Sequence, residues 1–191
     1  MNSTQASAAL QCAGDTGDGA VTLQAPVTEG DAVTESLLEV PAIEWDVEAP
    51  YVEAVSVQSQ HLDRFGHTNN VVYLSWLEQV AWGHSVSLGL DFEAYERIGA
   101  GCVARRHELD YLAATYAGDR LWLATWVHEN DFRLSMWRRY QIVRESDRKT
   151  VLRGQTHWVC VDMKSGRPRR MPPEFKAYTP WPRRAAELGS A

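Results

Sequence analysis

The run His61-Leu62-Asp63-Arg64-Phe65-Gly66-His67-Thr68-Asn69-Asn70-Val71-Val72-Tyr73 concentrates the chemistry of this chain. One carboxylate, Asp63, stands just before a glycine-containing turn that leads into a helical pattern. A helix start is electropositive, and its first N–H groups have no intrahelical partner. An anionic catalyst and a donor for a developing oxyanion can therefore share that place. Asp63 could attack an activated acyl carbonyl or deprotonate a water, and the residues leave both routes open. It lies several residues before the first helical turn, too far for a routine N-cap. Gly66 permits a backbone conformation or a close approach that a side chain would block. His67 could position Asp63, bind water or hold the turn, and Asn69 or Asn70 could cap the helix.

These residues need a helix behind them and a sheet around them. From Asn70 to Leu88, Val72, Trp76 and Gly83 with Tyr73, Leu77, Val80, Ala81 and His84 recur at three- and four-residue spacings. This predicts a largely buried helix, with Gly89 as its stop. Before the motif, Tyr51, Glu53, Val55 and Val57 alternate with their neighbours as in a strand. After a short helical connection over 90–98, four strands are predicted at Gly101–Leu112, Arg120–Glu129, Ser135–Glu145 and Thr150–Asp162. Turn residues separate them, which suggests an antiparallel meander. Trp122, Leu123, Trp126 and Val127 predict a strand covered on both faces. One strand, a long helix and four strands is an α+β order.

The chain has 191 residues, enough for one domain with a real core. Its net charge of -6 divides into -9 over residues 1–50, which hold no Lys or Arg, and +3 over the rest. Residues 1–45, rich in small, polar and acidic types, read as a disordered acidic tail. The domain proper is expected over 46–178, with an irregular tail over 179–191. An N-terminus without positive charge does not fit a secretory or transit peptide. No run approaches the roughly 18 apolar residues of a membrane span. Three cysteines, Cys12, Cys102 and Cys160, are too few for a disulfide framework and point to a cytoplasmic setting.

Gly99-Ala100-Gly101-Cys102-Val103-Ala104 matches G-x-G-x-x-A, but strand-like alternation follows where a dinucleotide site needs a helix. No nucleophile elbow, P-loop or paired Cys/His spacing occurs. No metal or cofactor is indicated, and the basic C-terminal stretch lacks a nucleic-acid-binding module.

The motif resembles the D-x-x-G-H-x-N-N-x-x-Y signature of hotdog-fold acyl thioesterases, the 4-hydroxybenzoyl-CoA thioesterase-like group. The resemblance spans roughly residues 50–175, with motif identity confined to 61–78. It implies a long central helix wrapped by a curved antiparallel sheet. It implies acyl-CoA thioester hydrolysis, with Asp63, His67 and Asn70 as catalytic residues. Gly66, Asn69, Tyr73 and Glu78 would line or support the substrate site, and the amides near Asn69 and Asn70 would face the thioester oxygen. Glu78 matches an acidic position of the family's helix, where a polar contact at a dimer seam is an equal reading. Two positions depart: His61 stands where many relatives carry a second acid, and Thr68 where Val is common.

A thioester suits so spare a site, because sulfur donates weakly into the carbonyl and thiolate leaves readily. Phosphopantetheine carriers are anionic, so Arg105, Arg106, Arg133, Arg138, Arg139, Lys164, Arg167, Arg169 and Arg170 are candidate contacts for CoA or an acidic carrier protein. The alternatives are an acyl-carrier-protein thioesterase and, in another class, a non-catalytic acyl- or partner-binding protein. The resemblance implies a homodimer or homotetramer.

Overall fold

The computed structural model describes residues 42–181. The acidic segment before Ala42 and most of the C-terminal tail, residues 182–191, lie outside the described residues.

Strand β1 (Tyr51–Ser56) leads through a 3-10 turn at Ser59–His61 to helix α1 (Asn70–Ser87). Helix α2 (Phe92–Ile98) and strands β2 (Ala100–Tyr111), β3 (Arg120–Asn130), β4 (Ser135–Arg144) and β5 (Thr150–Asp162) follow. Helix α1 starts at Asn69, whose side chain accepts the Val71 amide at 3.0 Å. It ends at Leu88, where Gly89 takes φ +75° and turns the chain away. Gly99 ends α2 in the left-handed conformation and β2 begins at the next residue. The G-x-G-x-x-A match thus runs from helix to strand, the reverse of a dinucleotide-binding turn. No helix among the described residues is long and apolar enough to cross a membrane.

All five strands pair antiparallel in the order β1-β3-β4-β5-β2. The α+β hotdog architecture is present, but the four-strand meander needs correcting. Only β3, β4 and β5 form a meander, while β2 pairs with β5 at the far edge. The connection 112–119 passes over three inter-strand spacings of about 4.8 Å. A connection of that length reaches either neighbour, so turn residues alone did not decide adjacency.

On the inner face, Leu121, Leu123, Tyr140, Ile142 and Leu152 pack with Tyr73, Trp76, Leu77 and Val80 of α1. On the outer face, Trp122, Ala124, Trp126 and Val143 are covered by Trp45 and Val47, with Ile43 and Trp181 alongside. Strand β3 is thus buried on both faces, and the chain supplies both covers. The Pro-rich segment after β5 also packs: Met171, Phe175 and Tyr178 are buried with Leu90, Tyr95, Val127 and Met136. The three from this segment stand at i, i+4 and i+7, a helical spacing, but Pro172 and Pro173 between them prevent a regular helix and leave only a 3-10 turn at Pro173–Ala177.

Candidate active site

The chain from Leu62 to Thr68 forms a small closed loop, with an isolated antiparallel bridge between those two residues. The Asp63 amide donates to the His67 carbonyl at 2.8 Å, and the Gly66 amide to the Asp63 carbonyl at 3.1 Å. Asp63 Oδ1 accepts the Phe65 amide at 2.8 Å and, at a longer 3.4 Å, the His67 amide. One carboxylate oxygen is therefore committed to its own loop. Oδ2 has no hydrogen-bond partner among the described residues. Gly66 adopts φ +78° with nothing within 4 Å of where a Cβ would stand, so its role is backbone conformation rather than close approach.

A hydroxyl network fastens this loop. The Thr68 amide donates to the Thr115 carbonyl at 2.9 Å. Thr115 Oγ1 lies 2.6 Å from Thr68 Oγ1 and 2.7 Å from the Tyr73 hydroxyl. Thr68, Tyr73 and Thr115 are all buried, so each hydroxyl's partner offsets its loss of water. The residue that departs from the common Val at this position thus has a defined use. Thr115 lies in the connection between β2 and β3, and no sequence pattern marks it.

Asp63, His67, Thr68, Asn70 and Tyr73 line one open cleft of about 350 Å³, closed on its other side by Tyr111 to Ala114. The Asn70 amide, first in α1, donates to no acceptor among the described residues. The Asn69 amide is taken by the His61 carbonyl at 2.9 Å, and its side chain caps the helix. The donor expected near Asn69 and Asn70 therefore narrows to Asn70. The His67 ring packs edge-on against Tyr116 rather than bonding the Asp63 carboxylate. His61 accepts the Gln58 amide through Nδ1 at 3.0 Å and packs its ring edge against Trp76. The side chain at the missing second acid is thus engaged in the preceding turn.

Glu78 is not brought to this cleft. It lies two turns along α1 and lines a separate cavity with Arg138, Tyr95 and Tyr178. The candidate carrier contacts also divide. Arg138 is buried beneath α1 and cannot meet a carrier at the surface. Arg106 is paired with Glu108 at 2.7 Å and Arg169 with Asp162 at 3.4 Å. Arg105, Arg133, Lys164, Arg167 and Arg170 are exposed. No cluster of metal-ligating side chains occurs among the described residues.

The sequence model of the thioesterase-like superfamily matches residues 57–178. No curated protein sequence matches the chain significantly. Among solved structures, a 1,4-dihydroxy-2-naphthoyl-CoA thioesterase from Synechocystis is similar with TM-score 0.61 and 17% identity, covering 68% of this chain and 95% of that one. A DHNA-CoA thioesterase from Staphylococcus aureus is similar with TM-score 0.61 and 20% identity, covering 67% and 87%. A further Staphylococcus aureus protein, solved in complex with CoA, is similar with TM-score 0.65 and 15% identity, covering 78% and 97%.

Proposed function

The chain belongs to the thioesterase-like superfamily and is a thioester hydrolase; from that premise we propose that its substrate is an acyl-CoA and that Asp63 is its nucleophile or general base. The observation that carries this reading is the shared cleft: a carboxylate with one uncommitted oxygen and an unpartnered amide at the start of α1 line the same 350 Å³ space. In the nucleophilic route, Asp63 adds to the acyl carbonyl and the C–S bond breaks to give a mixed anhydride and CoA thiolate. Water then hydrolyses the anhydride to the free acid. In the general-base route, Asp63 takes a proton from water as its oxygen adds to the carbonyl, and the tetrahedral intermediate expels the thiolate. In both, the Asn70 N–H would stabilise the carbonyl oxygen as it gains charge, a contribution of about 3 kcal/mol for one such donor. His67 and Tyr73 act as cleft walls, with Gly66 and Asn69 setting the loop and helix start.

Two similar proteins are named for CoA thioesters and another was solved with CoA, which favours CoA over a carrier protein. A homodimer or dimer of dimers follows from the family resemblance. It is supported by Phe65, 85% exposed beside the cleft, and by Val71, Trp82 and Val86, exposed along one stripe of α1. These apolar side chains suit cover by a second copy.

Steady-state hydrolysis of matched acyl-CoA and acyl-carrier-protein substrates tests the reading. Asp63→Asn should remain folded and lose at least about a hundredfold in kcat. Undiminished turnover by that variant would remove Asp63 from the mechanism. Faster turnover of the carrier-bound thioester would replace CoA as the carrier.

A further inference from the structure

Arg138 on β4 is 1% exposed, and among the described residues no carboxylate lies within ion-pair distance of it. Its Nη1 meets His84 Nδ1 at 2.6 Å, and its Cζ stands 5.6 Å from the Tyr178 ring centroid. Neither partner brings a negative charge. A buried guanidinium without a counter-charge is costly.

The space beside it is a cavity of about 70 Å³, lined by Arg138, Trp158, Met136, Cys102, Tyr178 and, from the exposed side of α1, Glu78. Trp158 Nε1, buried in the wall, makes no well-formed hydrogen bond, and among the described residues the Tyr140 hydroxyl beside it is the one acceptor it approaches. The hydroxyls of the wall are already used, with Tyr178 donating to Ser85 at 2.9 Å and Tyr95 paired to Tyr178 at 2.5 Å. Burial pushes both phenols up, and pushes the Cys102 thiol up to about 12, so none of them supplies an anion at neutral pH.

We propose that this cavity binds a small carboxylate, held by the Arg138 guanidinium and the Trp158 indole N–H. A planar guanidinium matches a carboxylate's two oxygens. Met136 and the face of Trp158 suit a short apolar stem. A phosphate dianion would set two charges against one arginine in a space of this size. The carboxylate is that of a free small acid: Glu78, at the cavity wall, is about 12 Å along α1 from Asn70, beyond the reach of a short acyl chain held at Asp63.

Thermal unfolding of the full chain tests the site without reference to hydrolysis. With ionic strength held by sodium chloride, acetate should raise Tm by roughly 3 °C at tenfold excess over its Kd, and neutral acetamide should not. Arg138→Met should abolish the acetate response, and Trp158→Phe should shift its midpoint to about tenfold higher acetate. Should Arg138→Met fail to fold, the acetate–acetamide contrast and Trp158→Phe still decide. Equal responses to acetate and acetamide would overturn the proposal. So would an acetate response that appears only in Glu78→Gln, since Glu78 would then be the internal counter-ion. Dissociation of Arg138→Met into monomers, with no acetate response in the wild type, would assign the carboxylate to a second copy and also overturn it.

Discussion

Nη1 of Arg138 lies 2.6 Å from Nδ1 of His84. A guanidinium only donates, so Nδ1 accepts and the neutral imidazole carries its proton on Nε2. Burial first, and then the Arg138 charge, lower the His84 pKa from 6.5 to about 4. Between those values the unfolded chain holds a proton that the folded protein does not. Stability is therefore complete above pH 6.5 and falls as the pH drops towards 4, by up to about 1.4 kcal/mol per pH unit. Urea unfolding between pH 4 and 7 measures this slope, and His84→Gln should remove this contribution to it.

Gly66 sets the loop that holds Asp63, at φ +78°. Gly66→Ala places a Cβ in a conformation that costs an L-residue roughly 1–2 kcal/mol. Because the loop is exposed, the fold should survive and the carboxylate should move instead. A kcat reduced on the order of ten- to a hundredfold is expected, with Tm lowered by only a few degrees, roughly 2–8 °C. Gly66→Asn, which tolerates the left-handed region better, should recover part of the loss. Full activity in Gly66→Ala would mean that hydrolysis does not depend on this loop conformation.

Thr115 serves two buried hydroxyls at once, those of Thr68 and Tyr73. Thr115→Val keeps the shape but takes the side-chain partner from the Tyr73 hydroxyl and leaves Thr68 Oγ1 only the Thr115 carbonyl at 3.2 Å, at a cost of about 1–3 kcal/mol. Thr115→Ser keeps the oxygen and should cost less. Chemical denaturation of the two variants measures the difference, and equal stability would show that the network contributes nothing.

The motif was legible because its interactions are short in sequence. Asp63 bonds within four residues, Asn69 caps two residues ahead, and Gly66 turns the chain between them. The order of strands was less legible. Strand β2 follows α2 and precedes β3, yet it pairs with β5, because pairing is set by which edge remains open once α1 is wrapped. The packing after β5 was less legible for a related reason: Met171, Phe175 and Tyr178 keep an i, i+4, i+7 spacing, but the prolines among them mask it.

Glu78 and Arg138 show the limit most clearly. One matched a motif position and the other was a candidate carrier contact, yet they line one cavity away from Asp63. By itself, the sequence determined the turn, the helix start, the central helix and the alternation of the strands, since these depend on backbone preferences and on neighbours three or four residues away. Only the tertiary structure decided that Thr115 secures the site and that Asn70 rather than Asn69 keeps an unpartnered amide. It alone decided that Arg138 is enclosed without a counter-charge. Each of those outcomes depends on which distant segments compete for the same donor, acceptor or patch of apolar surface, and such competition is settled only when the chain closes on itself.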